Sequence, residues 1–265
     1  MRGVALAQYM GYDFIDLRDW KHTNKIYDAI ILIKFSQNFN SDLIGKSKVL
    51  IWDALDCFAK HKRNYKPHAY WRKRCHSIKC NAIISTSPAC HKYMKETLKR
   101  SGVRVFQIPH HADPSIDFSW GNPNGPVVYV GNPAYVSKKT FGVVKNVCKK
   151  LGIKVIFDHS FFSQRTLKGA SLMLHPRPHK VNHTLNIHCK PQVKIANAAA
   201  ANLPVIGTRD PCVTSLYDGV VGWNEYDSWE TRITNALNRP TLNNPETLES
   251  SAAKMSSMLE TLLGS

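Results

Sequence analysis

Short apolar runs separated by helix-length stretches, interrupted once and then begun again, constrain this chain more than any other feature. Before residue 119 the runs are FIDL (14–17), AIILIKF (29–35), KVLIWD (48–53), AIIST (82–86) and VRVFQIP (103–109). After residue 126 come VVYVG (127–131), IKVIFD (153–158), SLMLHP (171–176) and PVIGT (204–208). Such runs, apolar on both faces, suit strands of a parallel sheet covered by helices on each side. Helices are expected over 2–10, 53–63, 88–100, 138–151, near 162–168, over 191–201 and along the tail 244–263. Gly11 and Gly102 mark helix ends and Pro88 a helix start. Two successive series of this kind predict an α/β protein with two Rossmann-like domains. SWGNPNGP (119–126) is the expected linker, since it holds two glycines and two prolines. The expected division is 1–120, 121–240 and a C-terminal helix over 241–265.

At 265 residues and 43% hydrophobic content, the chain can fill two modest cores. No apolar run approaches the ~20 residues that span a bilayer, and MRGVALAQYMGYDF does not read as a secretory leader. Seven scattered cysteines without a CxxC pair suit reduced thiols and predict a cytoplasmic protein. Cys75, His76 and Cys80 have no second pair at metal-binding spacing, so no metal is expected.

Charge is the strongest compositional fact, with 36 Lys and Arg against 19 Asp and Glu, a net +17. Residues 60–79, KHKRNYKPHAYWRKRCHSIK, carry eight Lys/Arg and no acid. A field of this sign suits a polyanionic partner, either DNA or an anionic membrane surface. Tyr65, Tyr70 and Trp71 are interleaved with it, and aromatic rings stack on bases or sit at lipid interfaces. Trp71, Arg72, Lys73 and Arg74 are therefore candidate acceptor-binding residues, with a solvated basic loop as the plain alternative.

The stretch 189–204, CKPQVKIANAAAANLP, places Lys190 and Lys194 four apart, with Asn197 one helical step further. Pro191 fits the first turn of a helix, where its missing N–H costs nothing. A helix start attracts anions through its unpaired N–H groups and dipole, and two ammonium groups there would suit a diphosphate. Two solvated lysines on a surface helix are the plain alternative. Other candidates follow strand-like runs: Gly131 and Asn132, then Ser137, Lys138 and Lys139, then His175 and Arg177, then Thr208, Arg209 and Asp210.

The string from Lys190 through Pro204, Val205 and Ile206 resembles the donor-binding signature of GT-B glycosyltransferases, of the family 4-like and phage DNA-modifying type. RVFQIPHHADP (104–114) is similar to the segment that leads into their interdomain linker, and the likeness covers roughly residues 80–240. It implies two Rossmann-like domains facing across a cleft, a C-terminal helix and a monomer. It further implies a nucleotide-diphosphate sugar donor and metal-independent transfer, with basic groups neutralising the leaving diphosphate. Lys190, Lys194 and Asn197, with Lys138 and Arg177, would hold the donor, and Gly131 and Asn132 would lie near its sugar.

The pair of glutamates eight apart found in many retaining members has no match, because 182–202 contains no acid. The family's opening strand has no match either, since this chain starts at a helix. An inverting transfer would need a base on the acceptor hydroxyl. His110, His111 and Asp19 lead that set, with Asp16, Asp53, Asp56 and Asp113 behind them. The expected acceptor is a hydroxylated pyrimidine in DNA. The alternatives are a cell-surface glycan or lipid-linked acceptor, and a non-catalytic nucleic-acid-binding protein.

Overall fold

The computed structural model describes residues 2–16, 19–20, 24–33, 43, 45–54, 67–131, 136–158, 163–176, 192–226, 228–239, 242 and 246–264. They fall into two compact units, the first with residues 1–110 and 248–265, the second with 111–182 and 192–247.

Unit 1 contains α1 (Arg2–Met10), β1 (Tyr27–Ile33), β2 (Ser47–Asp53), α2 (Pro67–Ser77), β3 (Ala82–Ser85), α3 (Pro88–Leu98) and β4 (Arg104–Gln107). Its four strands are parallel and lie in the order β1-β2-β3-β4. The C-terminal helix, Leu248–Leu263, also belongs here. Met255, Met258, Leu259 and Leu262 pack with Leu6 of α1 on Val49, Ile51, Ala82 and Ile84. The alternate residues face the other way, where Trp52 of β2 meets Trp71 of α2 at 5.1 Å between ring centroids. Ser87 caps α3 by accepting from Cys90 N at 3.1 Å, and Pro88 occupies its first turn.

Two expectations change in unit 1. FIDL is not a strand: residues 14–16 are irregular, and Phe14 is 55% exposed. The sheet opens instead at Tyr27, two residues before the expected run 29–35. The helix expected over 53–63 cannot begin at Asp53, which ends β2, and residues 55–63 lie outside the described residues.

Unit 2 contains β5 (Val127–Val130), α4 (Lys138–Lys150), β6 (Val155–Asp158), β7 (Leu172–His175), α5 (Val193–Ala200), β8 (Val205–Gly207), α6 (Pro211–Thr214), β9 (Val221–Gly222) and α7 (Trp229–Leu237). The C-terminal helix that joins unit 1 is α8 (Leu248–Leu263). The sheet order is β6-β5-β7-β8-β9, all parallel. One face packs Val128, Val130, Met173 and Val205 on Ile195 and the alanines of α5. The small side chains let that helix approach the sheet closely. The opposite face packs Val127, Tyr129, Leu172 and Ile206 on α4 and α7.

The glycines of 119–126 serve close packing rather than freedom. Asn122 N donates to Ala170 O at 2.7 Å, and Gly169 N to Trp120 O at 2.7 Å. A Cβ on Gly125 would fall 1.8 Å from Gly169 O, and one on Gly121 would fall 2.8 Å from Ala201 O. The sequence offered no element over 210–240. There Asp210 and Ser228 cap α6 and α7, while β9 is too short to show as an apolar run.

Candidate functional site

In unit 2 the chain leaves β5 for β6 on one side, then returns to β7 on the other. The connections after β5 and β7 therefore diverge, and in an open parallel sheet ligands bind at such a reversal, beyond the carboxyl ends of the strands. The residues standing there come from three places. Val130 and Gly131 end β5, His175 ends β7, and Lys194 is the second residue of α5, the helix after β7.

Lys194 Nζ donates to Val130 O at 2.8 Å, so the half-buried ammonium is held at the tip of β5. Gly131 makes room for it. Its φ is 156°, and a Cβ would lie 2.7 Å from Lys194 Nζ and 3.1 Å from the Tyr129 hydroxyl. Gly131 N donates to Asp158 O at 3.0 Å, which fixes the turn. The result is a positive charge at the end of β5 and the start of an eight-residue helix, chemistry that suits an anion.

The remaining candidates are placed as follows. The helix starts at Val193 after Gln192, two residues later than expected, so Lys190 and Pro191 precede it. Lys190, Arg177 and Asn132 lie outside the described residues. Lys138 is exposed at the first position of α4, where Ser137 Oγ accepts from Thr140 N at 3.0 Å. Asn197 Oδ1 accepts from Asp113 N at 2.9 Å and so ties the segment after His111 to α5.

His110 and His111 are buried, at 4% and 5% exposure. His111 Nδ1 lies 2.7 Å from Ala112 O, so in the neutral ring Nδ1 carries the proton and Nε2 is the basic atom. Asp19 stands in an exposed turn, its N–H on Asp16 O at 2.9 Å, and among the described residues no strand precedes it. Asp210 is taken by the N-cap of α6, accepting from Val213 N at 3.0 Å.

Beyond β8 and β9 the structure shows a network that the sequence did not suggest. Glu225 accepts from Gly222 N at 2.5 Å and pairs with Arg239 at 3.0 Å and Arg209 at 3.6 Å. Burial opposes its ionisation, but the Gly222 N–H and the two guanidinium groups outweigh it and hold its carboxyl below the usual range.

In unit 1, Trp71 is not an acceptor-stacking ring. It is fully buried against Trp52, because positions 71 and 75 form the buried stripe of α2, continued by Ile78 just past its end. Arg72 and Lys73 are exposed, and Arg74 is half-buried. Arg72 Nε donates to Thr97 O at 2.8 Å, at the last turn of α3. Cys75 and Cys80 meet at the end of α2. Their hydrogen bond and burial push the Cys75 thiol far up. Among the described residues no group of three or more His, Cys, Asp or Glu could hold a metal. No helix among them is long and apolar enough to cross a membrane.

No protein-family model and no curated protein matches the sequence. Solved structures do match. The Glycosylation Associate Protein (Gap123) complex from Streptococcus agalactiae is 12% identical, with 98% of this chain and 55% of that one covered, at a TM-score of 0.51. The accessory secretory protein 1, 2 and 3 structure from Streptococcus pneumoniae is 10% identical over 98% and 54% of the two chains, at 0.48. A glycosyltransferase from Rickettsia africae is 8% identical over 91% and 99%, at 0.38. The chain spans about half the length of the first two. At 12% identity the first of these likenesses speaks for the fold alone, which is of the GT-B type, with two Rossmann-like units and a C-terminal helix.

Proposed function

We propose that the chain is a glycosyltransferase that takes a sugar from a nucleotide-diphosphate donor held at the carboxyl end of β5. The observation that carries this reading is the Lys194 ammonium, fixed on Val130 O over a glycine at the sheet's reversal point. There the ammonium would neutralise the charge that develops on the departing diphosphate, the function a metal ion serves in other transferases. Lys138, on the helix that follows β5, would add a second positive group. Lys190, Arg177, Asn132 and Asn197 complete the proposed donor set.

In the reaction the acceptor hydroxyl forms a new bond to the sugar's anomeric carbon. The bond from that carbon to the diphosphate oxygen breaks, and the electron pair leaves with the nucleoside diphosphate. A basic group takes the hydroxyl proton. His111, with Nε2 as its basic atom, and His110 are the proposed bases, and Asp19 no longer has structural support. The acceptor we propose is a hydroxylated pyrimidine in DNA, supported by the net charge of +17. A protein of this kind works in the cytoplasm, host cytoplasm if the chain is viral, and as a monomer.

The test is thermal unfolding with a panel of nucleotide sugars, since a ligand of the native state raises stability by mass action. One donor should raise the midpoint, and the same donor should release nucleoside diphosphate when hydroxymethylated DNA is added. No shift with any nucleotide sugar or free nucleoside diphosphate would overturn the donor site. A shift followed by transfer to a lipid-linked or glycan acceptor, and none to DNA, would overturn the acceptor alone.

A further inference from the structure

The two crossover helices of unit 1 meet solvent with one sign of charge. Strands β2, β3 and β4 are parallel and step in a single direction. Right-handed connections therefore place α2 and α3 on the same face of the sheet. Trp71 anchors the first on Trp52, Met94 and Leu98 are buried beneath the second, and the Arg72–Thr97 bond joins them. On the outer side Lys73 and Lys79 stand exposed on and after α2, while Lys92, Lys95, Lys99 and Arg100 stand exposed on and after α3.

Lys92, Lys95 and Lys99 recur at helical spacing and form a stripe about 10 Å long. Glu96 is the lone carboxylate in the two helices, and Lys99 pairs with it at 2.5 Å. Burial and the positive charge of Lys95 together hold His91 below its ordinary value.

The kind of polyanion follows from what is missing beside the charge. The exposed large hydrophobic side chains of the described residues are Tyr9, Tyr12, Phe14, Ile26, Phe118, Val143 and Leu263, and none lies on α2 or α3. A membrane-surface helix needs apolar or aromatic groups to insert, and single-stranded nucleic acid is held by stacked aromatics. Tyr70 and Tyr93 are half-buried on these helices, so the exposed chemistry of the described face is mainly cationic, which fits the regular phosphates of a duplex better than either.

We propose that the outer α2–α3 face grips the phosphate backbone of duplex nucleic acid without reading its bases. This rests on the DNA-acceptor reading for the partner's class, and extends the 60–79 stretch by a stripe on α3, Lys92, Lys95 and Lys99, that lies outside it.

The test is duplex binding by fluorescence anisotropy from about 50 to 200 mM salt. It uses wild type, a Lys92→Ala/Lys95→Ala/Lys99→Ala variant and a charge-matched Lys145→Ala/Lys149→Ala/Lys150→Ala variant on α4. Alanine favours helix at exposed positions, and circular dichroism checks that both variants fold. The α3 variant should bind at least about tenfold more weakly at the lowest salt. Its log–log salt slope should flatten by about 2 to 3, whereas the α4 variant should keep nearly the wild-type slope.

Absence of duplex binding at the lowest salt would overturn the proposal. So would equal losses in both variants, which would mean net charge alone. So would tight binding to phosphatidylserine vesicles that the α3 variant abolishes, with duplex binding unchanged. Nucleotide-sugar stabilisation read on the same variants separates the two hypotheses. An α3 variant that keeps the donor shift and loses duplex binding supports this surface, while loss of the donor shift in wild type sinks only the transfer reading.

Discussion

The first sheet adds its strands in one direction, β1-β2-β3-β4, whereas the second turns back at β5. Strand chemistry does not explain the difference, since Val49–Trp52 and Val127–Val130 are equally apolar and buried. Order does. In unit 1 the carboxyl ends of β2 and β3 carry buried polar groups: Asp53, Ser85, Thr86 and Ser87 are all at most 1% exposed, and Ser87 is used to cap α3. In unit 2 the strand at the reversal ends in a glycine with a lysine laid across it. The same parallel α/β plan thus gives one unit neutral and acidic groups at its strand ends with positive charge on its helices, and the other an ammonium at the strand end itself.

Lys194→Ala should break this contrast most severely. It removes the charge-assisted bond expected to the diphosphate, and bonds to charged groups contribute about 1.5–3 kcal/mol. Donor affinity or transfer should fall roughly ten- to over a hundredfold, with the thermal midpoint of the unliganded protein changing little. Titration calorimetry with the donor found in the panel would show it, and unchanged affinity would remove Lys194 from the site.

Gly131→Ala asks a narrower question about the same place. The added methyl would stand 2.7 Å from Lys194 Nζ and must displace it from Val130 O. Donor affinity should drop by about tenfold, since the ammonium survives but loses its position. A larger loss than in Lys194→Ala would mean that backbone placement, rather than the ammonium, dominates binding.

How far the sequence reveals these features follows from their range. The strand runs at 48–53, 82–86, 127–131 and 171–176 were legible, because burial on both faces demands apolar residues in succession. FIDL shows the limit, as four residues carry no periodicity that separates a strand from an irregular turn. The Lys194–Val130 contact joins residues 64 apart, and only the sheet order brings them together. Trp71 shows local charge and helical periodicity pointing opposite ways. Its charged neighbours suggested a surface ring, although Trp71, Cys75 and Ile78 already marked a buried helical stripe.

The smallest effect tests whether the basic face carries a cost in its own backbone. α2 and α5 end alike. In α2, Lys79 N donates to His76 O at 3.1 Å and Cys80 N to Cys75 O at 3.2 Å. In α5, Asn202 N donates to Ala199 O at 3.1 Å and Leu203 N to Ala198 O at 2.8 Å. Both are Schellman endings, which put one residue in the left-handed region. That residue has φ 57° at Asn202, a type that tolerates the conformation, but φ 50° at Lys79, where a β-carbon clash costs about 1–2 kcal/mol. Lys79→Gly should therefore stabilise unit 1 by about 1 kcal/mol while weakening duplex binding slightly through the lost charge, and Asn202→Gly should change stability by less. Urea unfolding followed by salt-dependent anisotropy reads both quantities on one variant. A stabilised Lys79→Gly with undiminished duplex binding would place Lys79 outside the gripping face and confine that face to α3 and Lys73 of α2.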